Sequence, residues 1–314
     1  MAGDVNYYTG EVVESHKGTV RLGDEYYVAV LMIEKNNISI TIMDFNGTLQ
    51  KNYTTMFSLK NIVFKSNANN FLLFGLTLNE TYHLRVERDR VFNDYSYSAQ
   101  GFLYGKNGLH LNDRFKSISI YGEKIKKWSG FTQKLDRILT CGLINHLPVE
   151  GDCIEFEKNL KGLGRLGLYY SYTSGGIEGL HTVGMSVNPH ITITFEKSVH
   201  LDELIEQYTD LYMFLRFLIG SSLNISQVEI GNDLWERNTA QFYLAEKYEK
   251  INKLRNGVFM PFSTIYRDYS ENHFPLIVWD HYYDSERKDV KELLKKYVSY
   301  TMVDSNEEKF LGFY

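Results

Sequence analysis

Cysteine is scarce in this chain: Cys141 and Cys153 are the two thiols in 314 residues. Two thiols cannot make a disulfide framework or a four-thiolate zinc site, and such usage fits a reducing compartment. Proline is also scarce, with four residues and the first at Pro148, so no proline-rich linker divides the chain. An excess of one charge is missing too. The 34 basic and 39 acidic residues leave a net charge of -5, which excludes binding of nucleic acid through bulk positive charge. No run approaches the ~20 apolar residues of a membrane-spanning helix. The opening "MAGDVNYYTG" has neither the basic start nor the apolar stretch of a secretory signal, so the expected location is the cytoplasm.

The familiar reaction motifs are missing as well. There is no His-Glu-x-x-His, no histidine close to either cysteine, no aspartate-rich calcium loop and no Gly-x-Ser-x-Gly elbow. No metal and no cofactor is expected. "GLGRLG", residues 162–167, has dinucleotide-fingerprint spacing. Pyrophosphate binding needs a helix to begin on those glycines, so that its free N–H groups face the phosphate. The residues that follow, "LYYSYTSGGIEG", are aromatic and strand-forming, so the motif reads as a glycine-rich hairpin turn.

What the chain does have is aromatic side chains, 24 Tyr and 19 Phe, together with 24 Gly. From Gly10 to about Tyr121, short stretches alternate with a period of two between turn signals, which predicts a β-meander. Strands are predicted within "YYVAVLMIEKNNISITIMDF", at 61–65, 71–78, 82–87, 95–104 and 115–120, and then in "CIEFEKNL", "LGLYYSYT" and "HITITFEK". From Leu201 the period becomes helical. Leu204, Ile205, Tyr208, Leu211, Tyr212, Leu215, Leu218 and Ile219 recur three and four apart, predicting a helix that lays one apolar stripe on the sheet, capped by Ser198 and stopped at Gly220. Strands near 225–230 and 241–246 and a helix after Ser285 complete an α+β fold: a mostly antiparallel sheet or sandwich packed by one long helix, with a helical C-terminal part. A β-rich lobe over 1–197 and a helix-rich closing part over 198–304 are the expected divisions.

Two constellations are candidates for chemistry. "RDYSENH" places Arg267 and His273 in the loose Arg-x(4–6)-His pattern of metal-independent ribonucleases, where His would move protons at the 2'-hydroxyl and Arg would stabilise phosphorane charge. Its neighbourhood, "IYRDYSENHFPLIVWDHYYD", also reads as an ordinary packed helix. Tyr169, Tyr170 and Tyr172, with His181 in the glycine-rich stretch beyond them, could stack on a base, a sugar or a small ligand. No basic residues interleave these tyrosines, which disfavours nucleic acid, and alternating tyrosines on a sheet are also ordinary structural residues. The final "SNEEKFLGFY" reads as a helix beginning, with acids in its first turn and Phe310, Leu311, Phe313 and Tyr314 starting an apolar face. The expectation is that residues 305–314 open a further helical domain.

Three segments carry a resemblance. "FKSISIYGEKIKKWSGF", with Phe115, Ile118 and Trp128, resembles a strand-then-short-helix element in the N-terminal domain of ApeA-type bacterial anti-phage proteins. "ITITFEKSVHLDELIEQYTDLYMFLRFLIGSSLNISQVEI" is similar to that family's strand, long helix and strand, and "FMPFSTI" followed by "EEKFLGFY" to its closing helical part. The resemblance implies an abortive-infection protein whose C-terminal HEPN domain is a metal-independent endoribonuclease. The 314 residues would then be a non-catalytic sensing and regulatory domain. Its implied partners are the HEPN domain, a phage-derived trigger and a second copy of the chain, with RNA met only through the HEPN domain and no membrane contact. The residues alone leave two alternatives open: RNA cleavage through Arg267 and His273, or a carbohydrate- or small-ligand-binding β-sandwich.

Overall fold

The computed structural model describes Tyr8, Met56 and residues 13–34, 37–45, 48–51, 58–67, 69–79, 83–87, 90–105, 108–143, 147–174, 185–220, 222–232, 239–245, 276–283 and 288–302. It is an α+β, β-rich structure built mostly from antiparallel strand pairs. The chain divides into two compact units, Met1–Asp113 with Glu229–Lys247, and Arg114–Val228 with Tyr248–Tyr314. Both are discontinuous in sequence. A late pair of strands rejoins early ones, and composition carries no trace of that pairing.

The first unit contains β1 (Glu14–Leu22), β2 (Glu25–Glu34), β3 (Asn37–Asp44), a one-turn helix α1 (Thr48–Lys51), β4 (Asn61–Ser66), β5 (Asn70–Phe74), β6 (Thr77–Leu78), β7 (His83–Glu87), β8 (Arg90–Ala99) and β9 (Gly101–Gly105). Its sheet runs β15-β9-β5-β4-β1-β2-β3-β8-β6, with β7 also on β8; β14 (Ile225–Gly231) and β15 (Thr239–Leu244) come from late in the chain. The predicted alternation appears directly: in β2, Tyr27, Ala29, Leu31 and Ile33 are buried while Tyr26 and Val28 are exposed. Two predicted strands are each broken into two, 71–78 at Gly75 and 95–104 at Gln100. Gly75 has φ +63, and a Cβ there would lie 2.6 Å from Gln100, so the two breaks meet in one corner.

The second unit contains β10 (Phe115–Gly122), α2 (Glu123–Ser129), α3 (Gln133–Leu143), a 3-10 turn at Glu150–Cys153, β11 (Ile154–Leu160), β12 (Gly164–Ser174), β13 (Met185–Val199), α4 (Leu201–Ile219), α5 (Leu276–Tyr283) and α6 (Lys288–Met302). Its sheet runs β11-β12-β13-β10. "GLGRLG" is indeed a hairpin connection: β11 and β12 pair from Leu160↔Gly164 onward, and the glycines feed a strand rather than a helix. Gly162 takes φ +76 and Gly164 φ +129, and a Cβ on Gly164 would meet Thr194 O at 2.2 Å.

The long helix departs from its sequence reading in two ways. Ser198 belongs to β13, and the helix starts after His200, whose N–H donates to Glu203 Oε2 at 3.3 Å. The stop at Gly220 holds, with φ 71 and its N–H donating to Arg216 O. More consequentially, α4 is not a one-stripe helix: residues 210 to 216 are all buried, Asp210 and Arg216 among them. Its second face is covered by α6, so it packs on both sides. The predicted strand-then-short-helix element is β10 with α2, and Phe115, Ile118 and Trp128 are all buried. The first N–H groups of α2 donate to Asn224 O at 3.1 Å and Leu223 O at 3.2 Å, which replaces a side-chain cap.

Candidate functional site

The sheet of the second unit has two chemically different faces, set by the register. Leu166↔Ile193 and Leu168↔Ile191 across β12 and β13, and Ile118↔Ile193 and Ile120↔Ile191 across β10 and β13, bring the aliphatic side chains to one face. The other face carries Ser117↔Thr194, Ser119↔Thr192 and Tyr121↔His190↔Tyr169. Ser119 and Thr192 share a hydroxyl hydrogen bond of 2.7 Å.

This alternation separates the sequence-predicted tyrosines. Tyr169 lies on the polar face; Tyr170 and Tyr172 lie on the aliphatic one. Tyr169 and Tyr121 flank His190, with ring centroids 6.0 and 4.4 Å away and interplanar angles of 26° and 22°. Rings that stack on one another across three strands use their faces internally and offer mainly edges outward. His190 is 9% exposed, and burial holds its imidazole down to about 4, so it is neutral at pH 7. Tyr169 donates to Glu157 Oε1 at 2.7 Å, and burial with that acidic partner raises its phenol above the ordinary tyrosine range.

Across the sheet, Tyr170 donates to Glu155 Oε2 at 2.9 Å, and Thr132 donates to the same oxygen at 2.7 Å. Burial is the main cause that raises the Tyr170 phenol, with the Glu155 charge second. Lys134 Nζ donates to the backbone oxygens of Ile154 at 2.8 Å and Glu155 at 3.2 Å. Ile138, Tyr170 and Val187 form a small buried cluster, with Tyr172 and Cys153 packed against it. This network ties α3 to β11 and β12. The remaining candidates, His181, Arg267 and His273, lie outside the described residues.

A third arrangement had no signal in the sequence. Asp210, in the middle of α4 and 4% exposed, faces two lysines one turn apart on α6: Lys291 Nζ at 3.3 Å and Lys295 in closer contact. Tyr282 of α5 donates its hydroxyl to Asp210 O at 3.1 Å. Lys291 Nζ also sits 5.3 and 5.0 Å from the Tyr282 and Tyr283 ring centroids. Phe214, one turn beyond Asp210, packs on Trp279 at 4.5 Å and Tyr282 at 4.3 Å. The Trp279 indole N–H and the Tyr283 hydroxyl are buried without a hydrogen-bond partner among the described residues. An aspartate flanked by apolar residues in a helical stripe reads as a solvated break; the lysines that give it meaning lie about eighty positions away.

In the first unit a groove of about 340 Å³ is lined by Tyr26, Tyr27, Met43, Asp44 and Phe45 among others. Its polar groups are already engaged. Asp44 accepts the N–H groups of Thr48 at 3.1 Å and Leu49 at 2.8 Å, capping α1, and Tyr27 donates to Glu25 and pairs with Thr48 at 3.0 Å. Among the described residues no group of three or more His, Cys, Asp or Glu side chains is placed to hold a metal ion, and no helix is long and apolar enough to cross a membrane.

The class these features define is a β-rich α+β domain in which helices cover one sheet face and buried polar contacts tie them down. The family model described as ApeA N-terminal domain 1 matches residues 15–275, and the chain belongs to that family, an anti-phage-associated N-terminal domain. Neither the curated proteins nor the solved structures contain a match to it.

Proposed function

We propose that this chain is the sensing and regulatory part of a bacterial abortive-infection protein, acting in the cytoplasm. It recognises a phage-derived trigger and controls a HEPN endoribonuclease attached after it. The observation that carries this reading is the family match over residues 15–275. Two features of the fold support a domain that relays rather than reacts. Among the described residues of the second unit, buried titratable side chains pair with neighbouring groups, as in Tyr170–Glu155–Thr132 and Asp210–Lys291–Lys295. The Tyr121–His190–Tyr169 stack closes its own ring faces, which argues against a base-stacking platform.

The test compares the 314-residue chain with the full-length protein, in RNA cleavage and in protection of cells against phage. The chain alone should leave RNA intact and give no protection, while the full-length protein does both. Cleavage by the isolated chain that is lost in His273→Ala would replace this reading with the Arg267/His273 ribonuclease. Saturable binding of a sugar or small ligand, lost in Tyr169→Ala or His181→Ala, would replace it with the ligand-binding module.

A further inference from the structure

The solvent side of the first unit's sheet is uneven in charge. On β1 the alternation turns Lys17, Thr19 and Arg21 outward, all three exposed. The register sets the exposed Lys65 of β4 beside Thr19, Val28 of β2 beside Thr19 on the other side, and Tyr26 of β2 beside Arg21. Three cations therefore surround one threonine, next to a tyrosine that is 66% exposed and has the Arg21 guanidinium 5.9 Å from its ring centroid. Among the described residues neither Lys17 nor Lys65 has a carboxylate within ion-pair distance, and Arg21 meets one, the fully exposed Asp24 of the turn. Beside Tyr26 the β2–β3 ladder stops at Val28↔Met43 while β1–β2 continues to Leu22↔Glu25, and the groove of about 340 Å³ lies at that split, with Tyr26, Val28, Met43 and Phe45 in its lining.

We propose that this face binds single-stranded nucleic acid, with phosphates on Lys17, Arg21 and Lys65 and a base laid on Tyr26 at the groove. Lys17 and Arg21 stand four residues apart on one strand, roughly 13 Å, so they engage separate phosphates of an extended backbone rather than a single one. The groove's polar groups are engaged with one another, so stacking on the open tyrosine ring holds the base, and it does so with little regard to sequence. A net charge of -5 excludes wrapping nucleic acid over the whole surface and leaves room for a local row of cations. An acidic peptide fits the row less well. β1 is paired on both sides, by β2 and β4, so no further strand can be added along the cations, and a peptide there would lack the main-chain hydrogen bonds that give strand addition its affinity. The family resemblance gives RNA to the attached HEPN domain alone; this site lies within the 314 residues and does not depend on the sensing role.

Fluorescence anisotropy of a labelled single-stranded oligodeoxyadenylate of about twelve nucleotides, titrated with the 314-residue chain at roughly 25 to 200 mM salt, tests it. The wild type should bind with a dissociation constant on the order of 10 µM, and log Kd should rise with log salt at a slope of about 2, the value for three phosphates neutralised on a single strand. Lys17→Ala with Lys65→Ala should weaken binding and lower that slope to about 0.7, the share left to Arg21. Tyr26→Ala should weaken binding at least about fivefold at every salt concentration and leave the slope unchanged, because stacking releases no counterions. All these positions are exposed, so thermal unfolding of each variant should match the wild type and show that the loss is one of binding. A wild type that does not bind at the lowest salt overturns the proposal. So does equal affinity for a duplex of the same length or for polyglutamate, since neither offers an open base to Tyr26, and so does a Tyr26→Ala chain that binds as tightly as the wild type.

Discussion

Phe71 in the first unit and Phe214 in the second are both fully buried rings surrounded by rings, yet their surroundings differ in kind. Phe71 meets Phe64, Phe102 and Tyr104 at centroid distances of 6.0, 5.6 and 5.0 Å, inside a cluster of aliphatic and aromatic side chains. Phe214 meets Trp279, Tyr282 and Tyr283, but one helical turn away Asp210 holds two lysines, and two polar ring groups have no hydrogen-bond partner among the described residues. The first core is held by apolar area, which is non-directional and tolerates repacking. The second adds charges whose partners must be in place, so its helices have one preferred docking and a large penalty for losing it.

Mutations that remove each kind of support should separate the two regions. The largest effect belongs to Phe71→Ala, which opens a cavity in a dry aromatic cluster and should cost about 3–5 kcal/mol in denaturant unfolding. Asp210→Ala should cost less, about 2–3 kcal/mol, because its lysines are partly solvated and can turn to water. Its signature is local, a loss of hydrogen-exchange protection in α6 while β1 to β5 keep theirs. Equal loss of protection in both units would erase the distinction drawn here.

The next effect is a pH dependence confined to the second unit. His190 binds its proton at about 4 when folded and near 6.5 when unfolded, so the unfolded chain takes up protons first as the pH falls. The stability it contributes is complete above about 6.5 and is lost between there and about 4, a change of up to about 3 kcal/mol. His190→Phe, which keeps a ring between Tyr121 and Tyr169, should flatten the unfolding free energy across that window. A slope unchanged in the variant would assign the acid sensitivity to another group. The smallest effect is that of Tyr169→Phe, which removes one partly exposed hydrogen bond to Glu157 and should cost about 1 kcal/mol.

Much of the local structure was legible because it rests on neighbouring residues. The two-residue alternation of β2, the αL stop at Gly220 and the turn glycines 162 and 164 each depend on a few adjacent positions. The resemblance carried by 115–131 and 191–230 was legible for a related reason: it is a pattern of apolar spacing, and β10 with α2 and β13 with α4 realise it. The tyrosine cluster was legible only as a composition. Tyr169 and Tyr170 are consecutive, and consecutive residues of a strand face opposite ways, so one stacks on His190 and the other bonds Glu155.

Taken alone, the order of residues determined the α+β class, most strands, the reach of the long helix and the exclusion of a nucleotide fold at "GLGRLG", since each follows from periodicity and backbone freedom within a window of about twenty residues. Only the folded chain decided that Glu229–Lys247, the end of β14 with β15, returns to the first unit, that α4 is buried on both sides and that Asp210 is answered by Lys291 and Lys295. Those outcomes depend on segments far apart in sequence meeting in space, and no local pattern encodes which distant partner will arrive.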